Sequence, residues 1–249
     1  MSAPPRSPGR PPGTLYIIPN LLGIVPPAAV LPQRTIDVAR RLAHFVVETP
    51  KLARQFLKTI GTERPLQAIA LAELSEHTPA NRVAPMLAPA LSGEDLGLVS
   101  DAGCPGVADP GALLVAAAHR AGVRVVPLVG PSAILLALMA AGMNGQAFAF
   151  HGYLPAKPEP RDVALRTLDQ AVARTGATQI FIETPYRNDA LLDAVLANCR
   201  PSLCLCAAAD LTLPTELVIS HPVAAWRAAP KVTLGKRPAV FLLGQAASS

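Results

Sequence analysis

The run Ser100-Asp101-Ala102-Gly103-Cys104-Pro105-Gly106-Val107-Ala108-Asp109-Pro110-Gly111 holds the residue types best suited to chemistry in this 249-residue chain. It directly follows an apolar segment and combines a carboxylate, small residues and glycines at 103, 106 and 111. A carboxylate at a strand end, followed by backbone too small to block access, accepts hydrogen bonds from a ligand amine or hydroxyl. The competing reading of Asp101 is a turn-forming residue. Asp109 before Pro110 reads as a helix start, an N-cap followed by a first-turn proline. A second stretch, Val129-Gly130-Pro131-Ser132-Ala133, has a glycine that permits close approach. Its serine either caps a helix or presents hydroxyl and amide to a ligand.

Other chemistries lack their residues. Pro19-Asn20-Leu21-Leu22-Gly23 stands where a dinucleotide-binding Gly-rich fingerprint would follow the first strand. There is no phosphate-binding Gly-Lys-Ser/Thr loop, no His-Glu-x-x-His zinc motif and no Gly-x-Ser-x-Gly nucleophile elbow. Histidines at 44, 77, 119, 151 and 221 form no pair at ligand spacing, so no metal is expected. Cys104, Cys199, Cys204 and Cys206 follow no zinc spacing and read as small buried hydrophobes of a reducing, cytoplasmic compartment.

The elements that must position these stretches alternate. Strands are expected at Thr14–Ile18, His44–Glu48, Leu66–Ala72, Leu96–Ser100 and Val123–Leu128. Helices are expected at Pro32–Ala43, Lys51–Ile60, Asn81–Leu91, Gly111–Ala121 and Ser132–Ala141. Such alternation predicts βαβ units and a mostly parallel sheet with helices on both faces. After Gly142-Met143-Asn144-Gly145 the rhythm changes. Strands at Ala147–Tyr153, Thr178–Glu183, Ser202–Ala208, Glu216–Ser220 and Ala239–Leu243 outnumber helices at Arg161–Arg174 and Asn188–Asn198. This predicts a mixed-sheet α/β domain over 147–249, following an N-terminal domain over 14–146 and a disordered Pro-rich arm over 1–13.

Composition agrees. Hydrophobic residues make up 51% and charged ones 16%, which excludes a disordered chain. Aromatics at 4% leave the core to Ala, Val, Leu and Ile. Twenty-seven prolines suit many short elements joined by sharp turns. The uncharged run from Val125 to Met143 is interrupted by Pro127, Gly130, Pro131 and Ser132, so it predicts a buried strand, turn and helix and no membrane span. The net charge of +5 is spread along the chain, and permits a phosphate-bearing or polycarboxylate partner without requiring one.

Several ordered motifs together carry a resemblance. Leu15-Tyr16-Ile17-Ile18-Pro19, Ser100-Asp101-Ala102-Gly103, Asp109-Pro110-Gly111 and Gly122-Val123-Arg124-Val125-Val126-Pro127-Leu128 are four of them. Gly130-Pro131 and Tyr153-Leu154-Pro155-Ala156-Lys157 complete the set. In this order they resemble the tetrapyrrole methylase superfamily, and within it most closely the branch of ribosomal RNA small-subunit methyltransferase I, in a short form without the C-terminal extension. The likeness runs from about Thr14 to Asn188, with a weaker tail to about Leu243.

The resemblance implies a two-domain fold, a homodimer, and S-adenosylmethionine bound in a cleft between the domains. By motif position it assigns Leu22, Asp101, Cys104, Ser132 and Ala133 to that cofactor, with Ile182 and Ala239 as weaker carry-overs. It implies a nucleophilic acceptor, either a ribose 2′-hydroxyl of RNA or a ring carbon of a tetrapyrrole. A ribose hydroxyl is a poor nucleophile and needs a nearby base. Glu48, Glu76, His77 and Glu183, at expected strand ends, are the candidates. Lys51, Arg82, Lys157 and Arg187 are candidates to hold substrate phosphates. The chain departs from the RNA branch where Glu48-Thr49-Pro50-Lys51 replaces Glu-Asp-Thr-Arg, which removes a carboxylate and exchanges an arginine fork for a lysine point charge. Methylation of RNA is the leading expectation; methylation of a small molecule and a catalytically silent scaffold are the alternatives.

Overall fold

The structure, a computed structural model, describes residues 11–246. Residues 1–10 of the expected Pro-rich arm lie outside them. The chain divides into two compact units, Met1–Ser132 and Ala133–Ser249.

The first unit runs β1 (Thr14–Ile17), α1 (Gln33–Arg41), β2 (His44–Val47), α2 (Pro50–Ile60) and β3 (Ala70–Glu73). It continues through α3 (Ala80–Val83), α4 (Ala88–Leu91), β4 (Leu96–Val99), α5 (Gly111–Ala121) and β5 (Arg124–Pro127). All five strands are parallel, in the order β3-β2-β4-β1-β5. Parallel crossovers are right-handed. The steps from β1 to β2 to β3 run one way across the sheet and therefore place α1 and α2 on one face. The steps from β3 to β4 to β5 run back and place α3, α4 and α5 on the other.

The core follows that division. Ile36, Ala39, Phe56 and Leu57 pack with Phe45, Val47 and Val99 on one side. Leu87, Ala90, Leu114 and Ala118 pack with Val46, Leu96 and Leu98 on the other. Alternate residues of one strand point to opposite faces, so β2 and β4 need apolar side chains at nearly every position. Gly97 and the half-buried His44 are the exceptions, and for Gly97 the reason is steric. A Cβ on Gly97 would stand 2.6 Å from the Phe45 ring.

The second unit begins with α6 (Ala133–Ala141) and continues β6 (Phe148–Tyr153), α7 (Pro158–Thr175), β7 (Thr178–Ile182) and α8 (Asn188–Asn198). It ends with β8 (Cys204–Ala209), β9 (Leu217–Pro222), α9 (Val223–Ala228) and β10 (Ala239–Gly244). Its sheet has the order β6-β7-β10-β8-β9, with β6 and β7 parallel and the other pairs antiparallel. Phe181 stacks on Phe241 with centroids 5.8 Å apart, and Ala207 pairs with Phe241 across the sheet. The small residues of β8 give the aromatic rings room. The largest fully buried side chains include Phe45, Phe181 and Phe241, so few aromatics do not mean an all-aliphatic core.

Several elements differ from expectation for local reasons. The helix expected over Asn81–Leu91 is broken into α3, a 3-10 turn over Ala84–Leu87, and α4. Pro85 and Pro89 each lack the amide that a continuous helix requires. The third strand starts only at Ala70, because Pro65 opens a 3-10 turn over Leu66–Ala68. Helix α9, behind Pro222, was not expected; Trp226 anchors it by donating to the Leu205 carbonyl at 2.9 Å. The change in rhythm lies near residue 146, whereas the units divide between Ser132 and Ala133. The helix in that interval, α6, packs on β8, β9 and β10. Among the described residues no helix is long and apolar enough to cross a membrane.

Candidate functional site

Strands β1 and β4 are neighbours whose chains leave for opposite faces of the sheet, β1 toward α1 and β4 toward α5. Diverging connections open a crevice beyond the carboxyl ends of such strands. Asp101 stands there, just past β4.

Three loops are knitted together at this point. The Asn20 amide donates to the Gly103 carbonyl at 2.8 Å, and its side-chain nitrogen donates to the Ser100 and Asp101 carbonyls at 3.0 and 3.1 Å. Gly103, at φ +67°, lies so close to Leu22 that a Cβ would come within 3.3 Å of its methyl group. The Cys104 thiol donates to the Pro131 carbonyl at 3.5 Å. A Cβ on Gly130 would stand 2.4 Å from Pro19 Cβ, so the loop after β5 reaches the end of β1 only through glycine. Leu22, Asp101, Cys104 and Ser132 therefore belong to mutually contacting loops, and Ala133 follows directly as the first residue of α6.

The loop after β2 joins the same cluster through carboxylates. Asp101 Oδ1 accepts the Thr49 amide at 3.0 Å, and Oδ2 accepts the Thr49 hydroxyl at 2.7 Å. Each oxygen retains a further lone pair for a ligand donor, so the turn-building and ligand-accepting readings of Asp101 are compatible. Glu48 Oε2 accepts the Asp101 amide at 3.1 Å. Burial raises the Glu48 carboxyl above its ordinary range. The Asp101 amide opposes that rise, and the charges of Asp101, Asp109 and Glu76 add to it. Burial and the Asp109 carboxylate likewise raise the Cys104 thiol, which stays a neutral, weakly polar wall.

Asp109 is not the N-cap itself. Pro110 holds that position, and Asp109 accepts the Gly111 amide at 2.7 Å and the Gly106 amide at 2.8 Å. It thereby closes the loop that begins at Asp101. Beside it, Asn20 to Val25 and Leu52, Gln55, Phe56 and Thr59 line a cleft of about 200 Å³ that ends on Asp101 and Ala102.

The remaining candidates are placed differently. Glu76 and His77 are exposed and pair with each other at 3.5 Å. Lys51 lies in the first turn of α2, Arg82 lies within α3, and Lys157 precedes α7; all three are exposed. Ile182 and Ala239 lie diagonally on adjacent strands of the second unit, since Ile182 pairs with Val240. Glu183 has a wholly buried side chain bonded to Arg187 at 2.6 Å and to the Thr184 amide at 2.6 Å. Burial acts to raise its carboxyl, but the Arg187 guanidinium and Thr184 outweigh burial and hold it below the ordinary range. Such a group is a poor proton acceptor and a good anchor for Arg187. The reading of residues missed Asn20 and Thr49. Asn20 follows a strand-ending proline, which is a visible signal; Thr49 carries none until its partner is known.

A parallel five-stranded unit whose loops meet around Asp101 beyond the carboxyl ends of its strands, followed by a mixed five-stranded unit, defines a class. Residues 30–225 match the tetrapyrrole (corrin/porphyrin) methylases, and the chain belongs to that family. Within it, the chain is 42% identical to ribosomal RNA small subunit methyltransferase I of Xylella fastidiosa strain Temecula1, over 71% of this chain and 60% of that one. It is 34% identical to the protein of the same name from Escherichia coli O157:H7, over 85% of this chain and 70% of that one. The chain thus spans 60% to 70% of the length of these relatives. Among solved structures, the methyltransferase CobJ superimposes with a TM-score of 0.62 at 20% identity, covering 94% of this chain and 95% of its own. Uroporphyrin-III-C-methyltransferase from Thermus thermophilus gives 0.54 at 18%, covering 94% and 93%. These two likenesses speak for the fold.

Proposed function

We propose that this chain is an S-adenosylmethionine-dependent methyltransferase acting on RNA, with a ribose hydroxyl of an rRNA-type substrate as acceptor. The observation that carries the reading is the knot of loops after β1, β2, β4 and β5 around Asp101. The names of the curated relatives supply the acceptor class.

The residues present suit the cofactor. Gly103 at φ +67° and Gly106 at φ +85° let the backbone turn tightly after Asp101, which is itself half-buried. The carboxylates of Glu48, Asp101 and Asp109 favour a cationic ligand, and Leu22 and the neutral Cys104 offer apolar walls. Asp101, Leu22, Cys104, Ser132 and Ala133 would hold the group, which supplies a methyl carbon already activated by its sulfonium. The protein's own task is then alignment, exclusion of water and removal of one proton. Glu48 takes that proton in this reading, because its raised carboxyl is a stronger base than that of Glu183, which is held low. Asp101 and Asp109 keep that affinity for protons high. The reading includes a cytoplasmic homodimer, and the free thiols buried at Cys199, Cys204 and Cys206 suit a reducing compartment.

Two measurements test the proposal. Titration calorimetry with S-adenosylmethionine shows saturable binding, and absence of binding leaves a silent scaffold. Tritiated-methyl transfer to ribosomal RNA from cells lacking this gene, against a porphyrinogen panel, decides the acceptor; label in the porphyrinogens alone overturns the RNA reading.

A further inference from the structure

In the second unit, the loops after the parallel strands β6 and β7 carry features that the knot around Asp101 does not use. Tyr186 is 71% exposed and Tyr153 56%, and these are two of the three tyrosines in the chain. The Arg187 guanidinium lies over the Tyr186 ring, 5.5 Å from its centroid. Buried Glu183 grips the same guanidinium. The cation's plane is therefore held in place, with little rotamer freedom left to lose on binding.

The backbone places Tyr153 beside them. Phe150 pairs with Ile180 but Tyr153 pairs with Ile182, so β6 carries one extra residue between these pairs. Gly152, at φ +64°, takes up that residue. A bulge of this kind re-aims the side chain that follows it. Tyr153 takes the register place that residue 152 would otherwise hold, and shares the sheet face of Phe148 and Phe150. A Cβ on Gly152 would meet nothing within 4 Å, so the dihedral alone requires glycine. Apart from buried Glu183, the charged residues of these two loops are Lys157 and Arg187, both cationic.

Exposed tyrosine rings beside a half-buried guanidinium and a cationic neighbour match single-stranded RNA, whose unpaired bases stack on such planes while phosphates meet the charge. The exposed charge within these loops is cationic, and an exposed carboxylate follows in the first turn of α7, at Glu159. We infer that Tyr153, Tyr186 and Arg187 form a stacking platform for unpaired bases of the RNA substrate, with Lys157 adding charge for its backbone. The inference rests on the RNA reading above.

The test measures fluorescence anisotropy of a short labelled RNA, single-stranded and annealed to its complement, at one salt concentration. Wild-type protein binds the single strand more tightly than the duplex. Tyr186→Ala and Tyr153→Ala each weaken single-strand binding by about 5- to 100-fold, and Tyr186→Trp restores it. S-adenosylmethionine affinity, measured by calorimetry, stays at the wild-type value in all three variants and shows that they are folded. Alanine variants with wild-type RNA affinity overturn the platform and leave the RNA reading intact. Alanine variants that convert a dimer to a monomer in light scattering, without loss of RNA affinity, assign the patch to a subunit contact and also overturn it. A wild-type protein that binds neither RNA form yet methylates porphyrinogens removes the RNA reading itself.

Discussion

Asp101→Asn probes the knot at its centre. The variant keeps an oxygen for the Thr49 amide, and the Thr49 hydroxyl can rotate to accept from the new amide nitrogen. What changes is charge. Hydrogen bonds to an ionised acceptor contribute about 1.5–3 kcal/mol and neutral ones about 0.5–1.5. Converting two therefore costs about 2 kcal/mol, and relief of the repulsion between Asp101 and Glu48 offsets part of it. A net loss of about 1–2 kcal/mol lowers the melting temperature by about 2–8 °C for a chain of this size. S-adenosylmethionine affinity falls about tenfold if the carboxylate also accepts a ligand donor. The pH dependence is the sharper readout. Asp101 is one of the charges that raise the Glu48 carboxyl, so neutralising it lowers that carboxyl's pKa. An active base must be deprotonated, so the acid limb of the rate profile moves to lower pH in Asp101→Asn. An acid limb that stays in place, or moves upward, refutes Glu48 as the titrating base. An unchanged melting temperature refutes the assigned part of Asp101 in joining the loops.

Two further outcomes follow from other contacts. Gly130→Ala forces a Cβ to 2.4 Å from Pro19, so the loop after β5 must move; a loss of about 1–3 kcal/mol in urea unfolding and weaker S-adenosylmethionine binding are expected, and wild-type affinity would separate that loop from the cofactor. Glu183 has a carboxyl held below its ordinary value by Arg187 and Thr184 against the effect of burial. Its stabilisation is present above the unfolded value of 4.5 and disappears as pH falls through the lowered folded value. The melting-temperature difference between wild type and Glu183→Gln is therefore widest near neutral pH and closes in acid; a difference independent of pH contradicts the ion-pair assignment.

Much of this was visible in the residues alone. The alternation of apolar runs with amphipathic ones gave a parallel sheet followed by a mixed one, because strand and helix periodicities are local properties of the chain. Gly111–Ala121 and Asn188–Asn198 agree with expectation to the residue, since a glycine or proline stop and an amphipathic stripe act within one or two turns. Asp101 could be singled out because it ends a buried strand in small residues. The break in the helix near Pro85 and Pro89 is also a local property, since each proline lacks the amide a continuous helix needs.

Tertiary structure decided the partners. Thr49 is 52 positions from Asp101 and Asn20 is 80 from Ser100, so no local pattern could announce either pairing. They meet because the strand order sets β4 between β2 and β1. The same holds for the contrast between Glu48 and Glu183. Both are carboxylates after a strand, but one is half-buried beside other carboxylates and the other is buried beside an arginine. A residue's type names the charge it can carry; the neighbours that the fold brings to it determine whether it holds a proton, an arginine or a ligand.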